Sequence, residues 1–157
     1  MAVFTPQSNE PPATNYATLN TRNGHLVLQF DTTTQEAAYW KAVLPRDYGG
    51  NGITVYVHAA MASATSGTLG WDVAFERIGS ASQDIDSDGF ATAQTITAAT
   101  VPGTSGHVMI LNVAVTDGAN IDSIAVGETF RVRLRRDVAN DTATGDADFV
   151  ALELKET

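Results

Sequence analysis

The 157-residue sequence contains no cysteine, and this absence excludes several kinds of site. Disulfide bonds, thiolate metal ligands and cysteine nucleophiles all need a thiol. The absence of cysteine does not identify the compartment, since proteins of either redox environment can lack it.

Basic residues are few, and long apolar runs are missing. Nine Lys and Arg against 18 Asp and Glu give a net charge of −9, which opposes attraction to nucleic acid or an anionic membrane. The longest apolar stretch, near "VMILNVAV", is too short to span a bilayer. The start, "MAVFTPQSNEPP", lacks a basic segment followed by an apolar run, so we expect no signal peptide. The sequence predicts neither a nucleic-acid nor a membrane partner.

Catalytic patterns are also missing. Ser105 lies beside His107 in "GTSGH" without the strand, turn and helix of a nucleophile elbow. The three histidines (His25, His58 and His107) form no HxH or HxxxH pair that would suggest zinc. We therefore predict that the protein is not an enzyme, with no catalytic residue and no cofactor.

Alternating apolar residues indicate a β protein from residue 24 onwards. Eight candidate strands cover residues 25–31, 37–45, 52–61, 70–79, 90–98, 107–115, 129–137 and 148–156. Only residues 117–126 could form a helical turn. Short strands separated by Gly, Asn, Asp and Ser are typical of an antiparallel sandwich. The prediction is an all-β, eight-stranded, jelly-roll-like β-sandwich over residues 24–157.

Residues 1–23 have a different composition. They hold three of the five prolines, and their apolar residues follow no period. We predict an extended N-terminal arm in which Phe4, Tyr16 and Leu19 contact a neighbouring subunit; the alternative is a disordered terminus. Deleting residues 1–20 should then leave the sandwich folded.

An acidic loop, "SQDIDSDGF", places Asp84, Asp86 and Asp88 at every second position before a glycine. This spacing resembles the first half of a calcium loop, but Thr95 stands where the bidentate glutamate belongs, and neither flank predicts a helix. A solvated loop whose carboxylates cap their own backbone is the favoured interpretation. A non-helical calcium site is the alternative. The carboxylates of "NDTATGDAD" (residues 140–148) are interpreted in the same way.

Arginine is concentrated in "RVRLRRD". Arg131, Arg133 and Arg135 should share one face of a strand, and Arg136 should point to the other. Cross-strand carboxylates, for example Asp72 or Glu76, could neutralise them. The alternative is a docking surface for an acidic partner, because arginine is enriched at interfaces.

Aromatic residues supply the remaining candidates. Trp71 alternates in phase with Val73 and Phe75, which predicts a core position. Trp40 is adjacent to Tyr39 in a predicted strand, so one of the two should point outward. Trp40 and the loop residue Tyr48 are therefore candidates for stacking against a glycan.

Three segments give the sequence a family resemblance: "DYGGNGITVYVHA", "ATSGTLGWDVAFERI" and the "RVRLRRD…ND…GD" hairpin. Residues 36–155 resemble a β-sandwich module of structural proteins in tailed bacteriophages. The resemblance implies a virion component, made in the host cytoplasm, that works as a homotrimer. It would be a capsid decoration (cement) protein bound to the major capsid protein, or the head domain of a tail fibre. The short chain, without a fibre-forming segment, favours decoration.

Two hypotheses of function follow. The first is a decoration protein that stabilises a capsid through its arm and the faces of its sandwich. The second is a receptor-binding or carbohydrate-binding module that uses its loops, because loops on a rigid scaffold commonly carry binding residues.

Overall fold

The computed structural model describes residues 2–157 and shows two antiparallel β-sheets packed as a sandwich. Its strands are β1 (Ala2–Phe4), β2 (Thr18–Arg22), β3 (His25–Phe30), β4 (Ala37–Val43), β5 (Ile53–Met61), β6 (Thr68–Ile78), β7 (Gln94–Thr100), β8 (Met109–Val115), β9 (Thr129–Arg136) and β10 (Ala147–Glu156). Two short 3-10 helices cover Pro6–Ser8 and Ala119–Ile121. The predicted all-β antiparallel sandwich is confirmed.

Strand order divides the chain into two sheets. Sheet A has the order β2-β3-β10-β5-β8, and sheet B has the order β4-β9-β6-β7. Strand β1 also joins sheet A, beside β10. Strands β3 and β1 share one edge of β10, with β3 opposite residues 147–149 and β1 opposite residues 152–154. A register shift between Phe149 and Ala151 separates the two pairings on β10.

The core lies between the sheets and is built from alternate side chains. Val55 and Val57 of β5 and Val132 and Leu134 of β9 are all fully buried. Each such side chain contributes about 1.5–3 kcal/mol of transfer free energy on burial. Trp71 is also buried, as its alternation predicts, and meets Phe30 edge to face with ring centroids 4.9 Å apart.

All eight predicted strands are present, with shifted ends. The largest shift is at β7, which begins at Gln94 rather than at residue 90. The stretch predicted to allow a helical turn contains the 3-10 helix Ala119–Ile121. None of the helices within residues 2–157 has the length and hydrophobicity that crossing a membrane requires.

The amino-terminal segment differs from the predicted arm. Strand β1 pairs with β10, and β2 forms a hairpin with β3. Phe4 is only 6% exposed and stacks on Trp40, with ring centroids 6.1 Å apart. The Trp40 indole N–H donates to the carbonyl of Thr5 at 3.1 Å. This apolar contact and the strand pairing hold residues 2–4 on the sandwich itself.

One buried arginine holds the loop between β9 and β10. Arg136, fully buried, donates to the Asp141 carboxylate at 2.6 Å and to the carbonyls of Ala143 and Gly145, both at 2.8 Å. It points away from the face that carries Arg131, Arg133 and Arg135, as the alternation predicts. Its guanidinium therefore stabilises the β9–β10 loop from inside the fold.

Candidate functional site

An open groove of about 610 Å³ lies on the outer face of sheet A. Its volume falls within the range of small-ligand sites, about 300–1,000 Å³. Sheet residues from β3, β5 and β10 line it together with the β2–β3 turn and the loop before β8. The twelve lining residues are Arg22, Asn23, His25, Val27, Ala60, Thr104, Ser105, Gly106, His107, Val108, Asp148 and Val150.

A tight hairpin turn forms one wall of the groove. Asn23 and Gly24 both have positive φ, 47° and 79°, as a two-residue turn between antiparallel strands requires. The turn places Arg22 directly opposite His25. Both residues line the groove because the hairpin ends beside it.

Arg22 fixes this wall to the rest of sheet A. Its guanidinium donates to the carboxylate of Asp148 and to the carbonyl of Met61, both at 2.7 Å. Gln29 donates to the other Asp148 oxygen at 2.9 Å. The Asp148 side chain is only 1% exposed, so its charge is compensated by two donors rather than by water. The groove is therefore pre-formed.

The opposite wall is the loop that precedes β8. Gly106 has φ +82°, and its N–H donates to the Met61 carbonyl at 3.0 Å. The positive φ favours glycine, and a Cβ at this position would lie 2.9 Å from an Arg22 nitrogen, so a larger residue would displace that side chain. His107 and Val108 follow this contact and are exposed on the rim.

The groove is electrically balanced within an acidic chain. Arg22 and Asp148 neutralise each other, and the polar groups around them are hydroxyls, an amide and imidazoles. Val27 and Ala60, each 3% exposed, form an apolar floor. Such a surface suits an uncharged polar ligand that hydrogen-bonds at the rim and packs on the floor.

None of the twelve lining residues is Trp, Tyr or Phe. The flat surfaces available to a ligand ring in this groove are the imidazoles of His25 and His107. Binding here would depend on hydrogen bonds and shape more than on aromatic stacking.

The outer face of sheet B carries the arginine row, Arg131, Arg133 and Arg135. Arg131 forms an ion pair with Glu76, and Arg135 forms one with Asp72 at 2.9 Å. Arg133 lies over the ring of Phe90, with its guanidinium carbon 4.7 Å from the ring centroid. The predicted cross-strand neutralisation is therefore present at two of the three positions.

The two glycan-stacking candidates occupy different environments. Trp40 is fully buried between Phe4 and Phe149, so no ligand can stack on it, and the outward residue of the pair is Tyr39. Tyr48 is partly buried; its hydroxyl donates to Asp117 at 2.8 Å and accepts from the Gly52 N–H at 2.9 Å. Burial, with help from Asp117, raises the pKa of Tyr48 to about 12. Tyr48 thus stabilises the loop between β4 and β5 through these two hydrogen bonds.

The predicted subunit contacts of the amino terminus separate into two kinds. Phe4 belongs to the core, which corrects its interpretation as a free contact. Tyr16 and Leu19 are exposed by 51% and 54% and line a shallow groove of about 280 Å³ with Pro6 and Pro11. Their contact with a neighbouring subunit stays a prediction.

The acidic loop is arranged around its own backbone. The Asp84 carboxylate accepts from the Asp86 N–H at 3.0 Å, and the Asp88 carboxylate accepts from the Gly89 N–H at 2.9 Å. Within residues 2–157, no group of three or more His, Asp or Glu side chains is placed to hold a metal ion. The carboxylates Asp141 and Asp148 of the second acidic segment are paired with Arg136 and Arg22.

Sequence patterns did not identify the groove as a site. Its lining comes from four segments that are distant in the sequence, and its key residues, Arg22 and Asn23, fall within the predicted arm. The dipeptide Asn23-Gly24 is a usable signal, because Asn-Gly between alternating apolar residues is a strong hairpin indicator.

Comparison with known proteins defines a fold class. A family 35 carbohydrate binding module from an environmental isolate matches with a TM-score of 0.54 at 10% identity, over 99% of this chain and 93% of that one. The CBM22-2 xylan-binding domain of Xyn10C from Paenibacillus barcinonensis matches with a TM-score of 0.54 at 9% identity, over 96% and 92%.

A third structure contains a similar domain within a longer chain. It is the CBM22-1 and GH10 modules of Clostridium thermocellum xylanase 10B in complex with xylohexaose, with a TM-score of 0.51 at 12% identity. The match covers 98% of this chain and 27% of that one. No family model matches the sequence, and neither does any curated protein. The chain therefore shares the jelly-roll β-sandwich of these modules, and at such low identity the likeness concerns the fold.

Proposed function

We propose that the protein is a non-catalytic carbohydrate-binding module whose ligand site is the groove on the outer face of sheet A. The observation that carries the proposal is the pre-formed, electrically balanced groove of about 610 Å³ with polar walls and an apolar floor. Sugars present the matching chemistry, since hydroxyl groups surround the apolar faces of their rings. The similar folds of carbohydrate-binding modules support the same proposal.

The charge balance favours neutral glycans over acidic ones. The chain carries a net charge of −9, and Arg22, the one Lys or Arg among the twelve lining residues, is paired with Asp148. A polyanionic chain would meet repulsion without a compensating contact. Xylohexaose is the first probe to use because a protein of similar fold was solved with it.

Titration calorimetry with xylohexaose, preceded by a glycan array, tests the proposal. Replacing both rim imidazoles, His25→Ala and His107→Ala, should weaken binding of the best glycan at least about tenfold, because two polar contacts are lost. The matched control is His58→Ala, which removes a histidine from β5 of the same sheet outside the groove lining. It should leave affinity within about twofold.

Absence of binding to every glycan on the array would overturn the proposal, as would a double variant that binds like the wild type. Among the sequence hypotheses, the comparisons support the carbohydrate-binding one and give no support to capsid decoration. Virion location, the homotrimer and attachment to a major capsid protein stay predictions.

A further inference from the structure

The arginine row on sheet B has one unpaired member, and the strand register explains which. Strand β9 lies between β4 and β6. Arg131 is opposite Glu76, and Arg135 is opposite Asp72, so each meets a carboxylate. Arg133 is opposite Ala74 on β6 and Tyr39 on β4. On β6, Ala74 lies between Asp72 and Glu76 on the same face of the strand. Arg133 therefore faces a methyl group where a third carboxylate would be needed to pair with it.

The Arg133 guanidinium consequently lacks a hydrogen-bond partner among residues 2–157. Its Nε atom is buried and makes no hydrogen bond, which is unusual for a charged donor. Burial lowers the pKa of the Arg133 guanidinium, and the neighbouring charge of Arg135 lowers it further. The two terminal guanidinium nitrogens also make no hydrogen bond and are not among the buried unpaired atoms, so they are the donors that an incoming acceptor can reach.

The Phe90 ring lies against this guanidinium, and the ring of Tyr39, on the neighbouring strand, lies against Phe90. Phe90 follows the acidic loop and lies under both Arg131 and Arg133. Its ring centroid is 5.2 Å from the guanidinium carbon of Arg131 and 4.7 Å from that of Arg133. Its ring centroid is 5.1 Å from that of Tyr39. The backbone N–H of Ala91, the next residue, donates to the Phe75 carbonyl at 2.8 Å and fixes this segment to β6. The rings therefore give the cation an apolar surround.

We propose that Arg133, with Phe90 and Tyr39, forms a binding site for a single carboxylate carried on a small planar ligand. A carboxylate matches the guanidinium fork, in which two N–H groups can donate in parallel. A flat apolar group attached to it would pack beside the two rings. The site lies on the opposite sheet from the groove and is independent of the proposed glycan binding.

Charge limits the ligand to one anionic group. Three arginines and two carboxylates (Glu76 and Asp72) leave one positive charge in the row. The rest of the chain is strongly acidic, so a ligand with several negative charges would be repelled. A monocarboxylate satisfies the free cation without adding further charge.

Benzoate is a suitable probe because it joins one carboxylate to one flat ring. It is titrated into the full chain at neutral pH and constant ionic strength, and the side-chain Nε–H resonance of Arg133 is followed by NMR. We expect a saturable shift with benzoate and none with benzamide, which keeps the ring and lacks the charge. Arg133→Gln should weaken benzoate binding at least about tenfold, since it removes the charge-assisted bonds.

The matched control is Arg46→Gln. Arg46 is exposed and belongs to none of the ion pairs described for residues 2–157, so its replacement removes the same charge without touching the site. Benzoate affinity should stay within about twofold. Equal binding of benzamide and benzoate, no saturable benzoate binding, or an unchanged affinity in Arg133→Gln would overturn the proposal. The groove variants His25→Ala and His107→Ala should bind benzoate normally, which separates this test from that of the glycan site.

Discussion

Trp40 and Tyr39 are adjacent on β4 and have opposite roles. Trp40 is opposite Val132 and faces the core, whereas Tyr39 is opposite Arg133 and faces outward. The sequence predicts that one of the two points outward, and Lys41 is the signal that decides which. A lysine does not face a core, and residues 39 and 41 share a side of the strand.

Replacement of Trp40 should therefore destabilise the protein. Trp40→Ala removes a fully buried ring that contacts Phe4 and Phe149. We expect the free energy of unfolding to fall by about 3–5 kcal/mol in urea denaturation. The control Tyr16→Ala, at an aromatic residue that is 51% exposed, should change it by less than about 0.5 kcal/mol. A small effect of Trp40→Ala would show that the ring is not part of the core.

Ionisation of the Glu128 carboxylate should make the free energy of unfolding depend on pH in the acid range. Arg77 donates to both carboxylate oxygens, at 2.6 and 2.7 Å, and lowers the pKa of Glu128 from 4.5 to about 2. Because the folded state holds this proton more weakly than the unfolded state, the pair stabilises the fold above pH 4.5. That contribution is lost as the pH falls towards about 2.

Comparing the wild type with Glu128→Gln in urea denaturation over this pH range tests the assignment. The difference in unfolding free energy should be largest near neutral pH and should approach zero near pH 2. Glu10→Gln, which breaks the exposed pair with Lys41, is the control and should change the unfolding free energy little, because an exposed ion pair contributes little. A difference for Glu128→Gln that grows on acidification would contradict the assignment.

Among the elements, β1 and β2 are the strands that sequence patterns missed. Prolines and the lack of a long alternation suggest an arm, yet three residues of β1 suffice to place Phe4 in the core. A strand of three residues is too short to show an alternation of apolar and polar residues. The eight other strands were predictable because each has one face in the core. Apolar and polar residues therefore alternate along the strand, and this pattern is visible in the sequence.

Strand β1 should contribute to stability rather than act as a detachable arm. Deleting residues 1–5 removes the Phe4 ring, three paired positions and the acceptor of the Trp40 indole N–H. We expect a loss of at least about 3 kcal/mol in unfolding free energy. The sequence alone predicts instead that the sandwich folds even without residues 1–20.

Point variants within β1 separate packing from chain length. Phe4→Ala should reproduce most of the loss caused by the deletion. Val3→Ala, at a side chain that is 67% exposed, should change stability by less than about 0.5 kcal/mol. Unchanged urea denaturation of the deletion variant would contradict the assignment of β1 to the sandwich.

In the whole molecule, the two sheets present different chemistry to solvent. The outer face of sheet A carries a balanced groove, and the outer face of sheet B carries a charged row with one free arginine. The row was predictable from the sequence, because its members are two residues apart on one strand. The groove was not, because only folding brings residues 22–27, 60, 104–108 and 148–150 together.

Mapping the bound glycan on the molecule by NMR is the most direct test of glycan binding in the groove of sheet A. Backbone amide shifts are recorded while the best glycan from the array is added to the full chain. We expect the largest shift changes on the groove residues, among them His25, Ala60 and His107, with little change on sheet B. Changes concentrated on sheet B, or none at saturating glycan, would contradict it.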